Sequence, residues 1–181
     1  MMLDHTSVQL VFADLQDSIV EASATNPASD IRRSAKVLGG LASALGIPFT
    51  VSAAPRPGGP GVIEEVPGVE PYVRTGPSCW DDTAWRADVL AAGRGTLAVC
   101  GVTTEIVVLR TALDALAEGL AVQVLVDACG GMTARTEEAA LRQIEAAGGV
   151  VTSVAGFASD MVRDFTTPTG RQVIAALHGL T

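Results

Sequence analysis

The sequence is poor in the residues that mark metal sites, disulfide frameworks and nucleic-acid surfaces. It has two histidines, three cysteines and one lysine, Lys36, in 181 residues, and its formal net charge is −8. An odd set of three cysteines gives no disulfide framework and indicates a reducing compartment. The negative charge disfavours binding to nucleic acid or to an anionic membrane, because no basic patch can offset it.

The sequence also lacks long hydrophobic runs and a targeting segment. No apolar run approaches the length of a membrane span. The first residues, MMLDHTSVQL, lack the basic and apolar regions of a secretory signal. We therefore expect a cytoplasmic protein with no membrane partner. The length and the 48% of hydrophobic residues predict one compact domain over residues 1–181.

Short apolar runs alternate with helical patterns along most of the chain. This alternation predicts a doubly wound, Rossmann-like α/β fold, with a six-stranded, mostly parallel sheet and helices on both faces. The most apolar run lies in Thr96–Val102, which we expect near the centre of the sheet. The other predicted strands are Val8–Phe12, Ile47–Ser52, Ala121–Val126 and Val150–Val154, and both Val62–Ile63 and Tyr72–Val73 could be short strands. The predicted helices are Pro27–Leu45 (capped by Asn26), a helix from Asp81 or Asp82 to Ala92, the helix after residue 105, a Thr133-capped helix to Ala147, Phe157–Phe165 and Arg171–Leu177.

The turn GVTTE, residues 101–105, is the first candidate for an active site. It joins the central strand to a helix whose apolar positions Ile106, Leu109, Leu113 and Leu116 predict a face packed on the sheet. In open parallel sheets, ligands bind beyond the carboxyl ends of strands at such turns. Asp14 follows the first strand and belongs to the same rim if the two strands are neighbours; capping the next turn is an equally good interpretation.

The segment of residues 53–77 is long and holds most of the prolines. A loop of this length inside a compact domain is typical of a binding loop or a lid.

Three segments together resemble the isochorismatase-like hydrolases, also called the cysteine hydrolase superfamily. LVFADLQDSIV is similar to the family's first strand and its Asp and Gln, at Asp14 and Gln16. VRTGPSCWDD is similar to the basic loop of the branch that carries arginine, here Arg74, followed by Trp80 and Asp81. CGVTTEIVV is similar to the family's glycine-to-acid turn. The resemblance spans Val8 to about Gly156 and implies a cis peptide between residues 102 and 103.

The family's nucleophilic cysteine stands two residues after the acid of this turn, where the sequence has Val107. Valine cannot attack a carbonyl group, so the resemblance implies chemistry without covalent catalysis. Asp14 is then the general acid or base, and Arg74 either holds Asp14 ionised or fixes an anionic substrate. Helix N–H groups near Thr104 to Val107 stabilise developing negative charge. The alternative is an inactive relative that binds a ligand or serves as an oligomeric scaffold.

A further alternative is a thiol enzyme that uses Cys79. Arg74 stands five residues before it, and a nearby guanidinium favours the thiolate; simple packing of Cys79 beside Trp80 is the favoured interpretation. Cys100 is expected in the core, whereas Cys129 could line the rim. The predicted substrate-binding set is Gln16, Cys79, Trp80, Val102, Thr103, Thr104 and Val107.

We expect no metal and no other cofactor. The family's zinc-using amidases carry an Asp and histidines after the second strand, where this sequence reads VSAAPRPGG. The expected partners are a small-molecule substrate and further copies of the chain, since the family commonly assembles. Four apolar residues of the tail either form that interface or pack on their own subunit: Phe157, Met161, Phe165 and Val173.

Overall fold

The computed structural model describes residues 3–181 and contains one six-stranded sheet in which every neighbouring pair is parallel. The prediction of a six-stranded α/β sheet is confirmed, with all strands parallel. The strands are β1 (Val8–Ala13), β2 (Phe49–Ala53), β3 (Tyr72–Val73), β4 (Thr96–Val102), β5 (Ala121–Gly130) and β6 (Val150–Thr152).

The strand order is β3-β2-β1-β4-β5-β6, so β1 and β4 are the two central strands. The chain builds the sheet outward from β1 in one direction and from β4 in the other. The order therefore reverses between β1 and β4, which is where ligands bind in open α/β sheets. Ala13 pairs with Gly101, and this pairing places Asp14 beside the turn that follows β4.

Helices cover both faces of the sheet. Every residue of β1 and of β4 is buried, and successive side chains of a strand point to opposite faces. The helices are α1 (Asp17–Val20), α2 (Ala28–Leu45), α3 (Thr83–Ala91), α4 (Leu109–Ala117), α5 (Ala134–Ala146), α6 (Val154–Asp160) and α7 (Pro168–Leu177). Within residues 3–181, none of them has the length and apolar content needed to cross a membrane.

Strand β5 runs four residues past its predicted end, to Gly130. Its pairing with β4 slips between Val99 and Gly101, so the extra residues bulge before the two strands end together. The Asn26 side chain donates 2.8 Å hydrogen bonds to the carbonyl groups of Val126 and Cys129. It supports this bulge and does not cap α2, contrary to our expectation.

The segment after β4 begins with a single π-helical turn, Thr104–Val108, before α4. The wider turn rotates the helix relative to a regular α-helical pattern. Ile106 is therefore 43% exposed, and Thr111, Ala112 and Ala115 form the buried face of α4. The predicted inward position of Ile106 is wrong for this reason, and π turns of this kind are frequent at functional sites.

The C-terminal part differs from the prediction in its boundaries. Strand β6 ends at Thr152, because Ser153 caps α6 by accepting a 3.0 Å hydrogen bond from the N–H of Gly156. Three of the proposed interface residues, Phe157, Met161 and Val173, are buried within their own subunit. Of the two alternatives for these residues, packing on their own subunit therefore holds for these three, and Phe165, 45% exposed, is the one left for an interface.

Candidate active site

Asp14 follows β1 in a backbone conformation that most residues avoid. Its φ of 54° lies in the left-handed region, and it is the one non-glycine residue of positive φ within residues 3–181. Its N–H donates a 2.8 Å hydrogen bond to the carbonyl of Ser52, which fixes the turn against β2. Backbone strain of this kind concentrates at functional sites, where the surrounding structure enforces it.

The Asp14 carboxylate forms a bidentate ion pair with Arg74, which follows β3. The two guanidinium nitrogens lie 2.5 and 2.7 Å from the two carboxylate oxygens, and the nearer nitrogen also donates to Ser52 Oγ at 3.2 Å. Both side chains are more than 90% buried. Burial lowers the pKa of Arg74, but the hydrogen bond to Asp14 and nearby negative charges raise that pKa above its ordinary value. The guanidinium therefore stays charged.

The turn after β4 approaches the same point from the neighbouring strand. A Cβ on Gly101 would lie 2.1 Å from the carbonyl oxygen of Ala13, so only glycine permits this close approach of β4 to β1. The Val102–Thr103 peptide is cis, as the resemblance implies. Thr104 is fully buried, and its hydroxyl donates to Glu137 Oε1 at 2.7 Å, with the carbonyl oxygen of Gly130 also 3.2 Å away. Thr104 thus anchors the turn to β5 and α5.

A cavity of about 490 Å³ opens between these segments. Its lining comes from residues that follow β1, β2, β3, β4 and β5, so it lies at the carboxyl edge of the sheet. Of the predicted site residues, the lining contains Asp14, Arg74, Val102 and Thr103. The structure therefore brings the Asp–Arg pair and the start of the GVTTE turn together at one cavity.

Gln16 lies outside that lining and binds the proline-rich loop. Its Oε1 accepts a 2.8 Å hydrogen bond from the N–H of Ala54, and its Nε2 donates to the carbonyl groups of Ala54 and Pro60. The side chain is 1% exposed. Its hydrogen-bonding groups are thus occupied by the loop backbone.

Cys79 and Trp80 are also buried outside the lining. Burial raises the pKa of the Cys79 thiol, and the opposing effect of Arg74 and of hydrogen bonds to Ser52 and Thr111 is smaller. The expected activation of this thiol by Arg74 is therefore outweighed. Trp80 packs edge-on against Trp85, with ring centroids 5.0 Å apart. This contact agrees with the interpretation that the segment of Cys79 and Trp80 has a packing role.

The remaining residues of the GVTTE turn divide between core and cavity. Val107 is 1% exposed and packs in the hydrophobic core without lining the cavity, whereas its exposed neighbour Ile106 does line it. Thr104 is likewise outside the lining. The resemblance implies that the Val107 side chain points from the first turn of the helix toward Asp14 and Arg74, and this orientation stays a prediction.

Eleven further residues line the cavity that were not singled out individually as site residues from the sequence. They are Ser18, Ile19, Ala22, Ala54, Pro55, Arg56, Thr75, Gly76, Pro77, Ile106 and Met132. Met132 is positioned by Glu105, whose carboxylate accepts a 2.9 Å hydrogen bond from the Met132 N–H. The sequence feature that could have indicated some of these residues is the proline-rich loop of residues 53–77, which carries Arg56. The residues of the short helix α1 had no comparable signal.

The other cysteines are in the core. Burial raises the pKa of Cys100 well above that of an ordinary thiol, and it raises the pKa of Cys129 to about 12. Within residues 3–181, no cluster of three or more His, Cys, Asp or Glu side chains is arranged to hold a metal ion.

The fold defines a class of α/β proteins with an all-parallel sheet and a cavity at its carboxyl edge. The particular family follows from comparison with known proteins. The model of the isochorismatase domain matches residues 8–156. The chain therefore belongs to the isochorismatase family, within the cysteine hydrolase superfamily, and the expected family membership is confirmed.

Three comparisons support this assignment. The chain is 28% identical over 169 residues to the probable hydrolase YcaC of Escherichia coli, covering 90% of this chain and 81% of that protein. It is 31% identical over 135 residues to isochorismatase domain-containing protein 2 of Bos taurus, covering 74% and 66%. The crystal structure of E. coli YcaC, described as an octameric hydrolase of unknown specificity, superposes with a TM-score of 0.87 at 26% identity over 99% of this chain and 89% of the other. The chain is an isochorismatase-family, hydrolase-like protein.

Proposed function

We propose that the chain is a small-molecule hydrolase or related lyase that works without a cysteine nucleophile. Asp14 is the general acid or base in this proposal, and Arg74 positions it. The observation that carries the proposal is the buried Asp14–Arg74 pair at the cavity, with carboxylate–guanidinium distances of 2.5 and 2.7 Å. Keeping two charged groups this deeply buried is costly, which supports a functional reason for the pair.

The carboxylate of Asp14 retains proton-accepting capacity in this arrangement. Each oxygen accepts one hydrogen bond from Arg74 and has a second lone-pair direction. A water or substrate hydroxyl in the cavity could donate to that position. General acid–base chemistry is therefore compatible with an intact ion pair, which fixes the carboxylate orientation.

The turn after β4 supplies the opposite wall in this mechanism. Family resemblance places the missing cysteine at Val107, so no thiol is available there. The backbone N–H groups near the start of the π turn would stabilise developing negative charge on the substrate. The three cysteines of this chain offer no replacement, because each is fully buried with a raised thiol pKa.

Turnover of a panel of amides, esters and vinyl ethers tests the proposal. We expect at least one class to be turned over by the wild type, to survive pretreatment with iodoacetamide, and to be lost in Asp14→Asn. Turnover that persists in Asp14→Asn would contradict the assigned role. Turnover lost on alkylation would instead favour the Cys79 alternative.

A second candidate function is a catalytically inactive, ligand-binding relative. The valine at the position of the family's cysteine favours it, since most of the family's chemistry depends on that thiol. Ligand-induced shifts of the melting temperature, without turnover of any compound that causes a shift, are the expected result in that case. The same panel therefore separates the two functions.

We also propose that the chain forms a homo-oligomer. Support comes from the similar E. coli YcaC, whose structure is described as octameric. Among the tail residues considered from the sequence, Phe165 has the exposure that an interface needs. Light scattering at micromolar concentration is expected to give a mass above one 18.5 kDa chain. A monomer under these conditions would contradict the proposal.

A further inference from the structure

The cavity contains one charged side chain that the proposed chemistry does not use. Three charged residues line it: Asp14, Arg56 and Arg74. Asp14 and Arg74 neutralise each other through their bidentate contact. Arg56 has no carboxylate within 4.0 Å among residues 3–181. The cavity therefore keeps one positive charge in a chain whose formal net charge is −8.

The backbone around Arg56 is fixed by its local sequence. Pro55 and Pro57 flank it, and a residue that precedes proline is restricted to extended conformations. The N–H of Gly59 donates a 3.3 Å hydrogen bond to the carbonyl of Arg56, and Gly58 has a φ of 86°. A type II turn typically has proline at its second position and a glycine of positive φ at its third. Arg56 is thus the first residue of a tight turn.

Both ends of the loop that carries Arg56 are held on the segment that carries Asp14. The side-chain amide of Gln16 binds Ala54 at one end, with hydrogen bonds of 2.8 and 3.0 Å, and Pro60 at the other. The N–H of Asp17 donates a 2.9 Å hydrogen bond to the carbonyl of Gly61. Gln16, which stands two positions after Asp14, is therefore a positioning residue for the loop that carries Arg56.

Most of the other walls are apolar. They are formed by Ile19, Ala22, Pro55, Pro77, Val102, Ile106 and Met132, and the cavity measures about 490 Å³. The cavity therefore combines apolar surface with two charged points, the Asp14–Arg74 pair and Arg56. Such a site matches a small organic molecule with an apolar body and one anionic group.

We propose that Arg56 binds the anionic group of the substrate, and that the substrates are small organic monoanions with an apolar body. This inference rests on the proposed function, since it places the anion in the cavity of Asp14. Arg56 is exposed to solvent, so its contribution to affinity is moderate, about fivefold.

Matched carboxylate and ketone probes test the inference independently of turnover. Benzoate and acetophenone share one shape, as do hexanoate and 2-heptanone, and only the carboxylates are charged. We expect calorimetry or ligand-observed NMR at low ionic strength to show about fivefold tighter binding of each carboxylate to the wild type. In Arg56→Gln, the affinity for carboxylates falls to that for ketones. Arg33→Gln, an exposed change on α2 outside this cavity, keeps the preference.

The outcomes separate this inference from the proposed function. Equal binding of carboxylates and ketones by the wild type, a preference that survives in Arg56→Gln, or no binding of any probe at millimolar concentration would overturn the inference. Turnover of neutral substrates that is unaffected by Arg56→Gln would overturn it as well and leave the hydrolase proposal in place. A carboxylate preference without turnover of any compound would support anion selection while contradicting catalysis.

Discussion

The two central strands end at the same cavity, but the segments that follow them differ in chemistry. The segment after β1 carries Asp14 and Gln16, whose buried side chains are hydrogen-bonded to Arg74 and to the loop backbone, respectively. The turn after β4 contributes Val102, Thr103 and the exposed Ile106 to the cavity, with no charged side chain. In the function that we propose, acid–base chemistry therefore comes from the β1 side, and the β4 side provides shape, apolar contact and backbone N–H groups.

The largest expected effect is on the β1 side, in Asp14→Asn. The change removes the transferable proton while nearly preserving the side-chain shape. Loss of a positioned acid or base typically reduces the rate by about 10²–10⁴-fold. Steady-state kcat, measured on whichever substrate the wild type turns over, checks this expectation. Asp30→Asn, the same change at an exposed position of α2 outside the cavity, is the control and should keep the activity; an equal loss in both variants would contradict the role given to Asp14.

Arg74→Met tests the same pair through stability. It leaves the Asp14 carboxylate buried without a counter-charge, which we expect to lower the free energy of unfolding by about 3–5 kcal/mol. Urea denaturation at pH 7 measures this. The additional change Asp14→Asn should recover a large part of the loss, because the two residues are coupled.

A second arginine–aspartate pair provides the control for this measurement. Arg33 and Asp30 lie 3.1 Å apart on α2, and each side chain is more than 40% exposed. Arg33→Met should therefore cost no more than about 1 kcal/mol. Similar costs at Arg74 and at Arg33 would mean that burial does not distinguish the two pairs.

A smaller effect is expected from Gln16→Met, which removes the hydrogen bonds to the loop at nearly constant volume. The unpaired backbone groups of Ala54 and Pro60 should cost about 1–3 kcal/mol in stability. Faster hydrogen exchange at the amides of Asp17 and Ile63, which bind Gly61 and Leu15, would show that the loop has loosened. Gln143→Met removes a single exposed contact on α5 and should change neither property. Unchanged exchange in Gln16→Met would mean that the loop holds its position without this residue.

The sequence predicts most of the fold because the signals involved are local. The strand–helix alternation indicates the parallel sheet, and the apolar run of β4 indicates its central place. The segments around Asp14, Arg74 and Gly101 identify the family. The structure brings these three segments together, because each lies at the end of a strand and these strands end at the same edge of the sheet.

What the sequence does not reveal depends on contacts between distant segments. The π turn that exposes Ile106 interrupts the expected period, and no residue pattern marks it. The role of Asn26 appears only when the bulge of β5 is in place, 100 residues later. Burial decides the thiol chemistry of Cys79, because the proximity of Arg74 alone suggests the opposite direction of the pKa shift.

The smallest expected effect is on the β4 side, in Val107→Cys, which changes the core volume little and should cost less than about 1.5 kcal/mol. The wild type is the control, because it carries the same three native cysteines as the variant. Burial raises the pKa of Cys79, Cys100 and Cys129, so at pH 8 each has a smaller thiolate fraction than an ordinary thiol and should resist iodoacetamide. If the side chain at position 107 reaches the cavity, intact-mass spectrometry of native Val107→Cys will show one adduct, with none on the wild type. An unmodified variant would place position 107 wholly in the core. The β4 side would then be closed to a nucleophile by packing as well as by the identity of its residue.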